Sequence, residues 1–195
     1  MPRIEPRPEA ELGDLKPLLD RISQAMGFTP QSLLTMAHWP EMVQAMGGAM
    51  AVVLGSGELN PELKRLVSFV ASNAAGCRYC QAHTSHGAEQ AGVSAEKIAA
   101  AFEFETSPLF SAPEKAALRV AARAAMVPNA VEDEDFESLK QYFSEREIVE
   151  LVGVIAMFGF LNRWNDTLAT RLEDQPRAFA EETLASQGWT VDKHA

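Results

Sequence analysis

The chain has 195 residues, 47% of them hydrophobic and 23% charged, with a formal net charge of −10 and a pI near 4.9. That balance is one of a folded globular domain and excludes a disordered chain. The acidity, with no Lys/Arg-rich run, argues against nucleic acid or an anionic membrane as partner, because binding to phosphate needs clustered cations.

The opening "MPRIEPRPEAELGDLK" lacks the apolar core of a secretory signal, so a cytoplasmic location is expected. The first helix is predicted over Glu9–Met26, bent or restarted at Pro17, followed by helices over Pro30–Trp39 and Pro40–Leu54. Asn60 before Pro61 is an N-cap and first-turn proline opening a helix in which Leu63, Leu66, Val67 and Val70 recur at helical spacing. Helices are then expected over Tyr79–Ala91, Ser94–Phe102, Ala112–Met126, Glu132–Phe143, Ser144–Phe158, Asn162–Leu172 and Ala178–Ser186. Ser111 with Glu114, and Ser144 with Glu147, fit the Ser-x-x-Glu capping box. The longest apolar stretch, Ile148–Leu161, is too short to span a bilayer and contains Glu150. No period-2 run bounded by hairpin turns occurs, so the fold class is all-α, in one domain over residues 1–195.

"GCRYCQAHTSHG", Gly76 to Gly87, holds both cysteines and two of the four histidines. Cys77, Cys80, His83 and His86 are all acceptable zinc ligands, but on one helix each step of three residues turns the side chain back by about 60°. From Cys77 to His86 the side chains would diverge by about 180° and about 13.5 Å of rise, so one helix cannot bring all four to one metal. A redox pair is the alternative: near a helix N-terminus, unpaired amides and the dipole favour thiolate over thiol. His83 lies one turn after Cys80 and closer to it around the helix than to Cys77, so Cys80 is its expected client. A third reading is that the cysteines are small buried apolar residues. Thioredoxin architecture is not expected, since helices and not strands flank the motif.

A faint internal repeat lays "ELKRLVSFVASNAAGCRYCQAHT" over "EIVELVGVIAMFGFLNRWNDTLA" without gaps. Arg65 then meets Glu150, Tyr79 meets Trp164, and Cys77 and Cys80 fall on Asn162 and Asn165. The expectation is a cysteine-bearing hairpin at about residues 58–98 and a degenerate second copy at about 144–172. "RWND", Arg163 to Asp166, is polar amid apolar neighbours and would line a pocket, an interface or a helix–helix contact.

The stretch Glu58 to Ile98, with its Gly-Cys-x-Tyr-Cys-x-x-His core, resembles the AhpD-like alkylhydroperoxidases within the carboxymuconolactone decarboxylase family. "GFTPQSLLTMAHWPEMVQAM" and "FLNRWNDTLAT" extend the similarity toward the longer, peroxidase-related members. The resemblance implies an all-helical bundle, a homo-oligomer, and thiol-based reduction of hydroperoxides without haem, flavin or metal. Cys80 would be the peroxidatic cysteine and Cys77 the resolving one, with a lipoyl or thioredoxin-like protein as dithiol reductant.

Two positions depart from the family pattern. Thr84 stands where a histidine follows the second cysteine by four residues, and Arg65 stands where a relay glutamate precedes the first by twelve. Arginine is no base at neutral pH, but its charge would hold a thiolate. Glu62, His86 and, more weakly, Glu150 are the alternatives for moving the proton. A non-catalytic redox-sensing oligomer and a lactone decarboxylase are the competing functions.

Overall fold

A computed structural model describes residues Met1–Ala195. The chain is 69% helical and has no strands. Ten α-helices follow in order: α1 Lys16–Met26, α2 Gln31–Met36, α3 Pro40–Leu54, α4 Pro61–Ala74, α5 Arg78–Gln90, α6 Ala95–Ala100, α7 Ala112–Ala124, α8 Asp133–Lys140, α9 Glu145–Leu168 and α10 Asp174–Thr183. None is long and apolar enough to cross a membrane.

The centre of the bundle is α4, packed against α5, α7 and α9. Asn60 starts α4 by accepting the Leu63 amide at 3.1 Å, and Leu63, Leu66, Val67 and Val70 are buried as their spacing predicts. A smaller apolar layer of Leu12, Leu15, Leu19, Leu34, Met36, Val43 and Met46 builds around α1–α3 and lies against α9 through Met157, Phe160 and Trp164.

Both predicted capping boxes form, and a third, Glu132 with Asp135, opens α8. Pro17 does restart the first segment. Glu9–Glu11 and Gly13–Leu15 are single 3₁₀ turns, and the α-helix begins at Lys16 with the proline in its first turn, where its missing N–H costs nothing.

Two expected boundaries are wrong for identifiable reasons. α9 runs unbroken for 24 residues, where two helices were expected on either side of Gly159–Leu161. Its buried face, Ile148, Leu151, Val154, Ile155, Phe158, Asn162 and Asn165, keeps helical spacing, but its last two members are polar and conceal the stripe. The stretch expected to form a second hairpin is thus one helix through Leu168. α10 starts at Asp174, four residues before the predicted Ala178, because Pro176 falls in its first turn and does not interrupt it.

Candidate active site

The turn between α4 and α5 sets the geometry of the two sulfurs. Gly76 takes φ +75°, a left-handed conformation that other residues adopt reluctantly, and lets the chain reverse directly after α4. Cys77 is then extended and becomes the N-cap of α5. Its Sγ accepts the Cys80 amide at 3.3 Å, doing with sulfur what a serine oxygen does at other helix starts. Both cysteines are reduced and buried.

Cys80 forms part of the wall of a cavity of about 340 Å³ between the α1–α3 layer and helices α4, α5 and α9. Met46, Met50, Leu54, Phe158 and Leu161 make most of its surface apolar; Arg65, His83, Thr84 and Asn165 are its polar points. Cys77 does not line it. Cys80 therefore faces the cavity, and Cys77 is set back from it.

The electrostatics correct one expectation. Burial pushes the Cys80 thiol well above its ordinary range, and its hydrogen bond to Cys77 and the charge there push the same way. Asn165 opposes this, its Nδ2 donating to Cys80 Sγ at 3.5 Å, while Asp166 adds to the rise. Resting Cys80 is a protonated thiol because its sulfur is buried and the helix-terminal amide points at Cys77 instead.

His83 does not hydrogen-bond Cys80. Its Nε2 meets Glu173 Oε2 at 2.5 Å, and the ring stacks on Tyr79 with centroids 4.3 Å apart. Glu173, the N-cap residue of α10, also accepts the Gln31 amide at 2.5 Å and the Tyr79 hydroxyl at 2.9 Å. Burial works against ionising Glu173, but the His83 charge and hydrogen bond and the Gln31 amide outweigh it and hold the carboxyl below its usual value. Burial and then the Glu173 charge push the Tyr79 phenol well above its ordinary value, so it stays a donor. A carboxylate accepts only, so His83 Nε2 donates, and in the neutral form of the ring the lone pair falls on Nδ1.

Arg65 lines the cavity with no carboxylate partner, and burial lowers its pKa. Thr84 donates to the Cys80 carbonyl at 2.6 Å, a bond back along its own helix, and supplies no base. The other relay candidates stand apart from the cavity wall. Glu62 is exposed on the first turn of α4. The His86 ring packs against Phe28 and Phe179, and Gln90 Nε2 lies 3.4 Å from its Nε2. Glu150 pairs with buried Lys64 at 2.9 Å and accepts the amides of Glu58 and Leu59 at 3.1 and 3.2 Å. Arg146, then Lys64 and the Glu58 amide, hold its carboxyl far below the usual range, which makes it a structural clamp.

Of "RWND", Asn165 reaches the cysteine, whereas Arg163 and Trp164 line a separate, more open groove of about 910 Å³ along α7 and α9. Sequence reasoning missed Glu173 and the role of Tyr79. Glu173 is 90 residues from His83, and neither carries a motif that points to the other.

An all-helical bundle with a Cys-x-x-Cys pair heading a helix, one sulfur facing a largely apolar cavity, defines a class of thiol-bearing helical proteins. The model of the carboxymuconolactone decarboxylase family matches residues 37–123 of the chain. Among solved structures the chain is similar to the debrominase Bmp8. The apo form is 36% identical, covering 92% of this chain and 97% of that one, with a TM-score of 0.86. A cysteine-to-alanine variant of Bmp8 in complex with 2,3,4-tribromopyrrole is 35% identical, with the same TM-score. A peroxidase-related protein from Ralstonia eutropha JMP134, an alkylhydroperoxidase AhpD core, shares the fold at TM-score 0.75 and 22% identity over 91% of this chain and 95% of that one. Escherichia coli (strain K12) YnjA is 29% identical over 110 residues, 56% of this chain and 60% of YnjA, so the match spans less than two thirds of that relative.

Proposed function

We propose that this chain is a thiol-dependent reductase that delivers two electrons from Cys77 and Cys80 to a small apolar electrophile, with hydroperoxides as the substrate class. The observation that carries the reading is the placement of the two sulfurs: Cys80 on the wall of an apolar cavity, Cys77 behind it at the helix cap.

The Cys80 proton leaves first. His83 Nδ1 is the acceptor, and Glu173 on Nε2 stabilises the imidazolium that results. Arg65, an unpaired cation on the same cavity wall, offsets the charge of the thiolate and of the departing oxyanion. Cys80 thiolate attacks the distal peroxide oxygen; the O–O bond breaks, Cys80 becomes the sulfenic acid, and the leaving alkoxide takes a proton to depart as alcohol. Cys77 then attacks Cys80 sulfur, the S–O bond breaks, and disulfide and water result. A dithiol donor, lipoyl or thioredoxin-like, returns the pair to thiols by exchange. Self-association into a homo-oligomer belongs to the same proposal.

The similarity to Bmp8 favours a second reading within the same chemistry. In that reading the electrophile is a ring-bound bromine of a brominated pyrrole such as the one bound to Bmp8. Cys80 would take the halogen as a sulfenyl bromide, the ring carbon would gain a proton, and Cys77 would displace bromide to form the disulfide.

The deciding experiment is turnover of cumene hydroperoxide and of 2,3,4-tribromopyrrole with dihydrolipoamide as donor, by the wild type, Cys80→Ser and Cys77→Ser. Wild-type turnover should exceed that of Cys80→Ser by at least about a hundredfold. Cys77→Ser should complete a single reduction and stop with Cys80 oxidised, read by intact mass. Equal rates in wild type and Cys80→Ser defeat the proposal, and the substrate that turns over chooses between peroxide and halide.

A further inference from the structure

Cys77 must lose its own proton before it can close the disulfide, and it is fully buried and does not line the cavity. At an ordinary thiol pKa of about 8.5, only a few per cent of a cysteine is thiolate at neutral pH, and here no bulk water is at hand to accept the proton. The groups around its sulfur come from elsewhere in the chain. Cys77 Sγ, a carboxylate oxygen of Asp166 on α9 and a ring nitrogen of His194 lie within 4.8 Å of one another.

His194 belongs to the short 3₁₀ turn Asp192–His194 and is fully buried. Its backbone carbonyl accepts the Leu172 amide at 2.8 Å, which pins the turn against the segment after α9. Its Nδ1 lies 2.8 Å from the Thr170 carbonyl. A carbonyl oxygen only accepts, so Nδ1 carries the hydrogen and Nε2 keeps a bare lone pair. That Nε2 is buried and has no hydrogen-bond partner. Buried polar atoms are almost always satisfied, so an unpaired one beside a cysteine that must be deprotonated calls for an explanation.

We propose that His194 is the base that takes the Cys77 proton as the disulfide closes, with Asp166 holding the imidazolium so formed. The surroundings suit the task. Burial lowers the affinity of His194 for a proton, partly offset by the Thr170 carbonyl and the Asp166 charge, so the resting ring is neutral. Asp166 Oδ1 lies 3.8 Å from Nε2 and supplies the counter-charge once the ring is protonated. Lys193, bound to the other Asp166 oxygen at 2.8 Å, opposes that protonation; Asp192 favours it, and the Tyr79 ring packs 5.9 Å away. In the step itself, Cys77–SH gives its proton to Nε2 and its sulfur electron pair to Cys80 sulfur. The bond from Cys80 to its leaving group breaks, and the proton follows the leaving group out. With a sulfenic acid the product is water.

The inference rests on the preceding reading only in taking Cys80 as the sulfur that reacts first, and it is testable without any peroxide. The reduced protein is mixed with excess 4,4′-dithiodipyridine, and pyridine-thione release is followed by absorbance. The first release marks the mixed disulfide on Cys80, located by mass, and the second marks Cys77 closing on it. His194→Gln should leave the first phase unchanged and slow the second by about tenfold to a hundredfold at neutral pH. Its second phase should approach the wild-type rate only as pH rises through the thiol range. A second phase with the wild-type rate and pH profile overturns the proposal. Should His194→Gln not fold, nitrogen-15 NMR of the wild type decides. Nδ1–H with bare Nε2 at neutral pH supports the base; the Nε2–H tautomer overturns it. A protein inert to peroxide that still shows the two-phase shift keeps this inference while losing the hydroperoxide reading.

Discussion

At the scale of single residues, one feature of this site is a division of labour between two sulfurs three positions apart. Cys77 receives the cap amide and Cys80 receives the cavity. The result is a cavity-facing thiol that burial keeps protonated, and in the proposed reaction His83, paired with Glu173, serves as its base. The Glu173 carboxyl has a folded pKa below its unfolded one, so the unfolded chain binds more protons and this group adds stability as pH rises. Its contribution is complete above the unfolded value of about 4.3 and is lost as pH falls below that toward the folded pKa. Glu173→Gln should therefore destabilise the protein at pH 7 and do so progressively less below pH ~4.3, as urea titrations at several pH values would show. A stability deficit that stays constant down through that range would show that ionised Glu173 is not what binds His83.

At the scale of elements, α9 is where the sequence was hardest to read. Gly159, Asn162 and Asn165 look like the end of one helix and the start of another, because glycine and asparagine are poor helix formers. The tertiary environment overrides them. Asn162 and Asn165 continue the buried face, and Asn165 spends its amide on Cys80. Gly159 is an interior helical residue, and a methyl group built on it meets nothing within 4 Å. Gly159→Ala should thus stabilise the protein by about 1 kcal/mol, the ordinary difference in helix propensity. No change, or a loss, in the denaturation midpoint would mean that the helix breaks there after all. α4 was legible from Asn60-Pro61 and its apolar spacing, because a cap and a period are local signals.

At the scale of the molecule, the bundle is tied together by polar contacts that cross long stretches of chain. Glu150 of α9 holds buried Lys64 of α4 and the amides of Glu58 and Leu59 at once. Its alignment with Arg65 in the internal repeat made it a relay candidate, but it works as a clamp between two helices. Glu150→Ala leaves the Lys64 ammonium buried without its carboxylate, and should lower the thermal midpoint by several degrees. Replacing both, Lys64→Met with Glu150→Leu, should recover much of the loss, since two apolar side chains leave no buried charge behind. A double variant as unstable as the single one would place the cost in lost amide contacts and not in the stranded charge.

From the sequence alone came the helical class, the caps of α4, α7 and α9, and the pair Cys77 and Cys80, all carried by residues within a few positions of one another. Three of the residues singled out in the sequence, Cys80, Arg65 and His83, line one cavity. Only the tertiary structure decided what those residues do. It set Glu173 on His83, Asn165 on Cys80, and Asp166 and His194 beside Cys77. Hydrogen bonds and buried charges act over a few ångströms of space, whatever the separation along the chain. A period or a cap can be read from neighbours, but a proton's path depends on which distant helices the packing brings together and on how much water it leaves between them.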